Sequence, residues 1–150
     1  MIEDLVESAK EELKRADHSI HVSLKYARTV DIMKNIIKRL ISACSFAILE
    51  VLEYLKEKKK IKEIPGNETE RVELVLKKFP DLNDYIKFYD LLKNIDKAEY
   101  TKREEYRKNV AFIVSLEGQT MEINVVKLKE LYGKTDELVN AFYEKIKIIK

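Results

Sequence analysis

Residues 31–54, DIMKNIIKRLISACSFAILEVLEY, form the stretch of sequence that decides the fold. Apolar side chains recur there at alternating intervals of four and three residues, and a second apolar row runs beside the first. The first row is Met33, Ile37, Leu40, Cys44, Ala47, Val51 and Tyr54, and the second is Ile36, Ile41, Ile48, Leu52 and Leu55. Two adjacent rows make a wide apolar face, which is typical of a central helix that touches several neighbours. The pattern predicts a long helix over about residues 30–60.

A similar apolar row precedes this stretch and predicts another long helix, over about residues 2–28. The row is Leu5, Ala9, Leu13, Ala16, Ile20, Leu24 and Ala27. Its mean spacing of about 3.67 residues keeps it on one side of a nearly straight helix. Thr29 and Val30 are β-branched and Asp31 can cap a helix, so these three residues favour a break. We therefore expect an antiparallel hairpin of two long helices that turns at residues 28–31.

Two shorter helices are predicted in the middle of the chain. Asn67, followed three residues later by Glu70, has the pattern of a capping box and begins the first of them. Pro80 interrupts this helix, and Asp81 begins a further helix that ends near Asp96.

The sequence beyond these helices allows competing predictions. Thr101 and Glu104 are spaced as a capping box, which predicts a helix that runs through Val110. Residues 110–125 fit either a continuation of this helix or a β-hairpin that turns at residues 117–120. The alternation of apolar and polar side chains in the sequence MEINV, at the end of this segment, favours the hairpin.

A last helix is predicted after Asn124, which can cap its first turn. Its apolar row keeps alternating intervals of four and three straight through Gly133, so the glycine need not end the helix. The row is Leu128, Tyr132, Thr135, Val139, Phe142, Ile146 and Ile149. Together the elements predict a mostly all-α fold. It is an antiparallel bundle of four to five helices in a single domain, residues 1–150, with a small β-hairpin near residues 110–125.

The composition excludes several classes of protein. Apolar residues make up 45% of the chain and charged residues 37%, which is typical neither of a disordered nor of a membrane-embedded protein. The single cysteine, Cys44, excludes an intramolecular disulfide framework, and the N-terminal sequence MIED has no basic region, so we expect a cytoplasmic protein. A net charge of +2 does not by itself imply a polyanionic partner. Abundant Lys and Glu, with Gln119 as the only glutamine, are typical of hyperthermophiles.

The most polar stretch of any predicted helix is RADHSIHVSLKYAR, residues 15–28, which contains both histidines of the chain. On a helix His18 shares a strip with Arg15, and His21 shares the neighbouring strip with Arg28. The stretch is either an anion-binding or acid–base patch with a histidine that titrates near neutrality, or a hydrated helix face with ion pairs four residues apart.

Metal binding and nucleophilic catalysis by cysteine are both disfavoured. Asp17, His18 and His21 could begin a metal site, but no cysteine lies nearby to help complete four ligands, so no metal and no cofactor is expected. Cys44 lies in the apolar row of its helix with no histidine close in sequence. It is therefore expected to be buried and inert.

Arg103 and Arg107 form the remaining candidate site. In the predicted helix they would project from one face, one turn apart, near the N-terminus, where backbone amides favour anions. A structural account is equally available, because Glu104 and Glu105 can offset the positive charge there. We expect at least one of the two arginines to be accessible and to line a groove beside the first helix.

The order of the helices and the sequence AEYTKREEYR, residues 98–107, resemble the HEPN superfamily, named for higher eukaryotes and prokaryotes nucleotide-binding. The resemblance covers roughly residues 1–115. Such domains are bundles of four or five helices led by two long antiparallel ones, and the active ribonucleases among them have an arginine followed four to six residues later by a histidine. Arg103 matches the arginine, but Lys108 and Asn109 stand in the later positions, and no histidine follows His21.

The resemblance implies a non-catalytic interaction domain that forms a homodimer, binds RNA or a nucleotide, or acts beside a nucleotidyltransferase. The apolar face of the second predicted helix and the regular spacing of the last one would suit a dimer, or they would be used within one core. The alternative function is a metal-independent, toxin-like endoribonuclease. In it Arg103 or Arg107 stabilises the phosphate, and His18 or His21 acts as the base.

Overall fold

The computed structural model describes residues 1–147 and begins with two long helices that pack together. Helix α1 is Ile2–His18, and it continues through a π-helical turn, Ser19–Ser23, into a last α-helical turn, Leu24–Tyr26. Helix α2 is Val30–Glu57. Both long helices that the sequence predicts are therefore confirmed.

The π-helical turn in α1, which the sequence pattern does not predict, lies between buried residues of the apolar row. Ala16, Ile20 and Leu24 lie four residues apart, whereas an α-helical turn contains about 3.6 residues. Hydrogen bonds from residue i to residue i+5 widen the turn, so that all three side chains stay buried on the same side of the helix.

Thr29 caps helix α2. Its Oγ1 accepts the N–H of Ile32 at 3.3 Å, and its backbone is extended, as an N-cap requires. The prediction that Asp31 caps this helix is wrong, because Asp31 already lies in the first turn. There its carboxylate still complements the positive end of the helix dipole.

The two shorter helices begin and end close to the predicted positions. Helix α3, Glu68–Lys78, starts after Asn67, whose Oδ1 accepts the N–H of Glu70 at 3.3 Å. The predicted interruption at the proline is a 3₁₀ turn, Pro80–Leu82, which leads directly into helix α4, Asn83–Lys97.

A three-stranded antiparallel sheet follows in the order β1-β2-β3. The strands are β1, Tyr100–Arg103, β2, Ala111–Leu116, and β3, Gln119–Asn124. The predicted hairpin is therefore confirmed as β2 and β3. Glu117 and Gly118 form its two-residue turn with φ values of 47° and 80°, and two positive φ values are what a type I′ turn requires.

The predicted helix from Thr101 to Val110 is wrong, because its first residues belong to strand β1. Thr101 pairs with Ile113 and Lys102 pairs with Phe112, both in β2. A capping box is a local pattern, and pairing with a distant strand overrides it. Phe112 is fully buried, so the hairpin is fixed on the core and β1 adds to its edge.

Helix α5, Val125–Lys147, follows β3 directly. The predicted cap is confirmed, since Asn124 Oδ1 accepts the N–H of Lys127 at 2.8 Å. The helix continues through Gly133 as predicted. Ile149, the last member of the predicted apolar row, lies outside the described residues.

Helix α2 lies at the centre of the bundle and packs against the other helices. Its buried residues are Val30, Met33, Ile36, Ile37, Leu40, Ala43, Cys44, Ala47, Ile48, Glu50, Val51, Leu52, Tyr54 and Leu55. The wide apolar face is thus used within one core. The fold is mostly α-helical with a small antiparallel sheet, and none of its helices, as far as residue 147, is long and apolar enough to cross a bilayer.

Candidate functional site

A groove of about 610 Å³ opens where the C-terminal end of α1, the loop between β1 and β2, and the start of α5 meet. Ile20, Leu24 and Val110 line it with buried apolar side chains. The N-terminus of α5 also borders it, through Asn124 and Val125. The groove therefore combines an apolar base with the end of a helix whose dipole favours anions.

The rim of the groove carries a concentration of positive charge. Five lining side chains are cationic and two are carboxylates, so the lining has three net positive charges without counting His21. The cations are Lys25, Arg28, Arg103, Lys108 and Lys129, and the carboxylates are Glu104 and Glu122. The whole chain has a net charge of only +2, so its excess positive charge is concentrated at this groove.

Most of these cations form no ion pair with another described residue. Arg103 forms an ion pair with Glu122 across the sheet, but the other four lining cations form none within residues 1–147. Arg15, outside the groove, is the contrast: it forms ion pairs with Glu11 at 3.8 Å and with Glu12 at 3.3 Å. The groove therefore presents unneutralised cations, whereas elsewhere on α1 an arginine is matched by the protein's own carboxylates.

The loop between β1 and β2, residues 104–110, is attached to the turn between the two long helices. The N–H of Tyr106 donates to the carbonyl oxygen of Arg28 at 2.7 Å. Glu105 Oε2 accepts the N–H of Val30 at 2.9 Å and so supplies a second cap to α2. These two hydrogen bonds fix the cations of the loop relative to those of α1.

The same loop contains strained backbone conformations. Glu104 and Tyr106 have φ values of 50° and 68°, in the left-handed region that non-glycine residues seldom occupy. Each such residue costs about 1–2 kcal/mol, and the surrounding contacts must hold it in place. The N–H of Arg107 donates to the carbonyl oxygen of Glu104 at 3.1 Å and closes the loop.

The arginines singled out in the sequence occupy different surroundings. Arg103 is exposed and lines the groove beside the end of α1, together with Arg28. Arg107 is exposed but does not line the groove, and Arg15 is held by its glutamates. The expectation that Arg103 and Arg107 project from one helix face is wrong, because one lies in a strand and the other in a loop.

Only one of the two histidines lines the groove. His21 lines it, whereas His18 is exposed and does not. His21 Nδ1 lies 3.0 Å from the carbonyl oxygen of Asp17 and 3.1 Å from its Oδ1. A carbonyl oxygen can only accept, so this contact suits the neutral tautomer in which Nδ1 donates and Nε2 is the acceptor.

The other chemical candidates are not built into a site. No group of three potential ligands that could hold a metal ion occurs among the described residues. Cys44 is fully buried, and burial raises the pKa of its thiol far above the ordinary value, so the reactive thiolate is disfavoured.

Some residues of the site could not be identified from the sequence. Lys25 and Arg28 lie in the polar stretch at residues 15–28, and Arg103 lies in the segment that the HEPN resemblance singled out, residues 98–107. Lys129 is brought beside them only by the junction of β3 with α5. Glu105 and Val30 are 75 residues apart, and no local pattern indicates that they pair.

In comparisons with known proteins, no protein-family model, no curated protein and no solved structure matches this chain. The fold and the groove define a helical-bundle domain with an unneutralised basic groove on its surface.

Proposed function

We propose that this chain is a non-catalytic interaction domain that binds RNA through the basic groove. The proposal depends on four cations around one groove that form no ion pair within the described part of the chain. They are Lys25, Arg28, Lys108 and Lys129. They come from three separate elements, and the hydrogen bonds of Tyr106 and Glu105 hold two of these elements together. Fixed cations of this kind bind the phosphates of a nucleic acid, which supply most of its binding free energy.

The proposal includes the partners that the HEPN resemblance implies. It places the domain in the cytoplasm, as a homodimer or beside a nucleotidyltransferase. The apolar faces of α2 and α5 are packed within one core, so the homodimer depends on the resemblance and not on those faces. Light scattering at micromolar concentration tests it: a mass near twice 17.7 kDa supports a dimer, and a mass near 17.7 kDa rejects it.

RNA binding is tested by removing charge from the groove. A labelled mixed RNA pool is titrated at several salt concentrations with the wild type and with the double variant Arg28→Gln/Lys129→Gln. The matched control, Lys77→Gln/Lys87→Gln, removes the same charge from exposed positions on α3 and α4. We expect the groove variant alone to bind more weakly, with the slope of log K against log salt smaller by about 0.7 for each phosphate that the groove no longer neutralises. Equal affinity of both double variants would reject the groove as the binding site.

A second candidate function, a metal-independent endoribonuclease, is favoured by one observation. His21 and Arg103 line the same groove, and the contact with Asp17 leaves His21 Nε2 free to accept a proton. Nε2 would take the proton of a ribose 2′-hydroxyl, whose oxygen would attack the adjacent phosphate and form a 2′,3′-cyclic phosphate as the bond to the 5′-oxygen breaks. Arg103 would stabilise the charge on the attacked phosphate, and the leaving 5′-oxygen would take its proton from water or from the protonated His21. His18 lies outside the groove, so this version of the mechanism depends on His21.

Cleavage is measured by incubating the RNA pool with the protein, with and without a chelator. The ribonuclease predicts cleavage that survives the chelator, is lost in His21→Ala and Arg103→Ala, and is retained in His18→Ala. Intact RNA with the wild type rejects this function and leaves the binding proposal in place.

A further inference from the structure

Two tyrosines that neighbour lining residues in the chain, but do not themselves line the groove, are unusually exposed. The side chain of Tyr26 is 88% exposed and that of Tyr106 is 76% exposed, whereas Tyr89 is fully buried. An isolated exposed tyrosine needs no explanation, because much of any protein surface is apolar. These two are not isolated from each other in space. Tyr26 precedes Arg28 by two residues, and the backbone N–H of Tyr106 donates to the carbonyl oxygen of that same arginine.

Tyr106 is also an unfavourable choice of residue for folding alone. Its φ of 68° would suit glycine or asparagine better, and its ring gains little from packing because most of it faces water. Tyr26 ends the helical segment with its ring almost wholly in solvent. Neither ring contributes appreciably to the core, so both rings are open to a ligand at the surface.

We propose that the groove accepts single-stranded RNA, with unpaired bases stacked on Tyr26 and Tyr106 while phosphates lie against Arg28 and the neighbouring cations. Exposed aromatic rings beside a basic groove are the combination that binds single strands, because every base has a π-face and no particular sequence is needed. In a duplex the bases stack on one another, so the two rings would have nothing to bind. The inference rests on the proposed function and specifies the form of the RNA.

The cations and the tyrosines should contribute to binding in different ways. The lysines and arginines fix the backbone and make the affinity depend on salt, whereas the tyrosines contribute a part that salt does not screen. Removing a ring should therefore weaken binding without changing the salt dependence. Removing a cation should change both. This difference separates stacking from charge in a single set of titrations.

The experiment uses the full chain and a labelled RNA of about 12 nucleotides, single-stranded or annealed to its complement. The variants are Tyr26→Ala and Tyr106→Asn, since asparagine tolerates the left-handed backbone and keeps the loop in place. Tyr26→Phe and Tyr106→Phe retain the rings and serve as matched controls. Circular dichroism and thermal unfolding check that each variant is folded.

We expect the single strand to bind more tightly than the duplex, and each ring removal to weaken single-strand binding by about five-fold or more with an unchanged salt slope. The phenylalanine variants should bind as the wild type does. If the duplex binds equally well, or if folded variants without the rings keep full affinity, the stacking inference is overturned while RNA binding by the groove stands. If the wild type binds neither form, the proposed function itself fails.

Discussion

The carboxyl group of Glu50 is predicted to make the stability of this protein fall as the pH rises from 4.5 towards 8. Glu50 lies on α2 with no exposed surface, and neither carboxylate oxygen has a hydrogen-bond partner in the described part of the chain. The hydroxyl of Tyr54, one turn further along, is also buried without a hydrogen-bond partner among residues 1–147. Burial raises the pKa of Glu50 from 4.5 to about 8, although the positive charge of Lys10 on α1 partly opposes the shift.

The direction of the change in stability depends on whether the folded or the unfolded state binds the proton of Glu50 more tightly. Between pH 4.5 and 8 the folded protein keeps Glu50 protonated, whereas the unfolded chain has released that proton. Stability therefore falls with rising pH over this interval, by about 1.4 kcal/mol for each pH unit and about 3 kcal/mol by pH 7. The loss ends above the folded pKa, where both states are ionised.

Replacing Glu50 with glutamine removes this loss and keeps the shape of the side chain. Glu50→Gln should unfold at a higher temperature than the wild type at pH 7, by about 2–4 °C for each kcal/mol regained. At pH 4.5 the two proteins should be nearly equal. The measurement is thermal and urea unfolding of both proteins at half-unit steps from pH 4.5 to 8.

The control is Glu57→Gln, which removes the same charge from an exposed position at the end of the same helix. We expect it to change stability by no more than about 0.5 kcal/mol at any pH. Equal pH dependence of the wild type and Glu50→Gln would show that Glu50 does not cause the loss of stability. So would a glutamine variant that is the less stable protein at pH 7.

Three further substitutions test individual contacts by urea unfolding. Glu105→Ala removes the acceptor of the Val30 N–H and should lower the free energy of unfolding by about 1–2 kcal/mol. Glu117→Asn gives the type I′ turn an Asn-Gly pair and should raise it by up to about 1 kcal/mol. Gly133→Ala should raise it by about 0.5–1 kcal/mol, because a Cβ there meets nothing within 4 Å.

Each of these predictions has an outcome that contradicts it. The control for Glu105→Ala is Glu99→Ala, which changes an exposed glutamate just before β1. If Glu105→Ala lowers stability no more than this control does, the cap of α2 contributes nothing measurable. A destabilised Glu117→Asn would contradict the assignment of the turn. A destabilised Gly133→Ala would mean that α5 is not regular at that position.

The long helices could be predicted from the sequence because their signal is local and repeated. The alternating row from Met33 to Tyr54 places one side of α2 in the core over many turns, and no competing pattern exists there. The β2–β3 hairpin could be predicted for a similar reason, since strict alternation flanks a glycine-containing turn. The π-helical turn in α1 gave no such signal, because spacing by four is compatible with either helix type over a short stretch.

The strand that contains Arg103 could not be predicted, because the local sequence favours a helix there and pairing with β2 prevents it. A capping-box pattern and several helix-forming residues favour a helix at residues 101–110. The backbone of residues 100–103 instead pairs with β2, and the remaining loop is attached to Arg28 and Val30. The groove depends on these long-range contacts, so the sequence indicated some of its cations but not their assembly.

RNA binding by the groove is best tested by titrating the ¹⁵N-labelled protein with single-stranded RNA and following the amide chemical shifts. We expect the largest shifts at residues 20–28, 103–110 and 122–129, which surround the groove. We also expect small shifts over α3 and α4. Saturable shifts that cluster on α3 and α4, or an absence of shifts at low salt, would contradict the claim that this groove binds RNA.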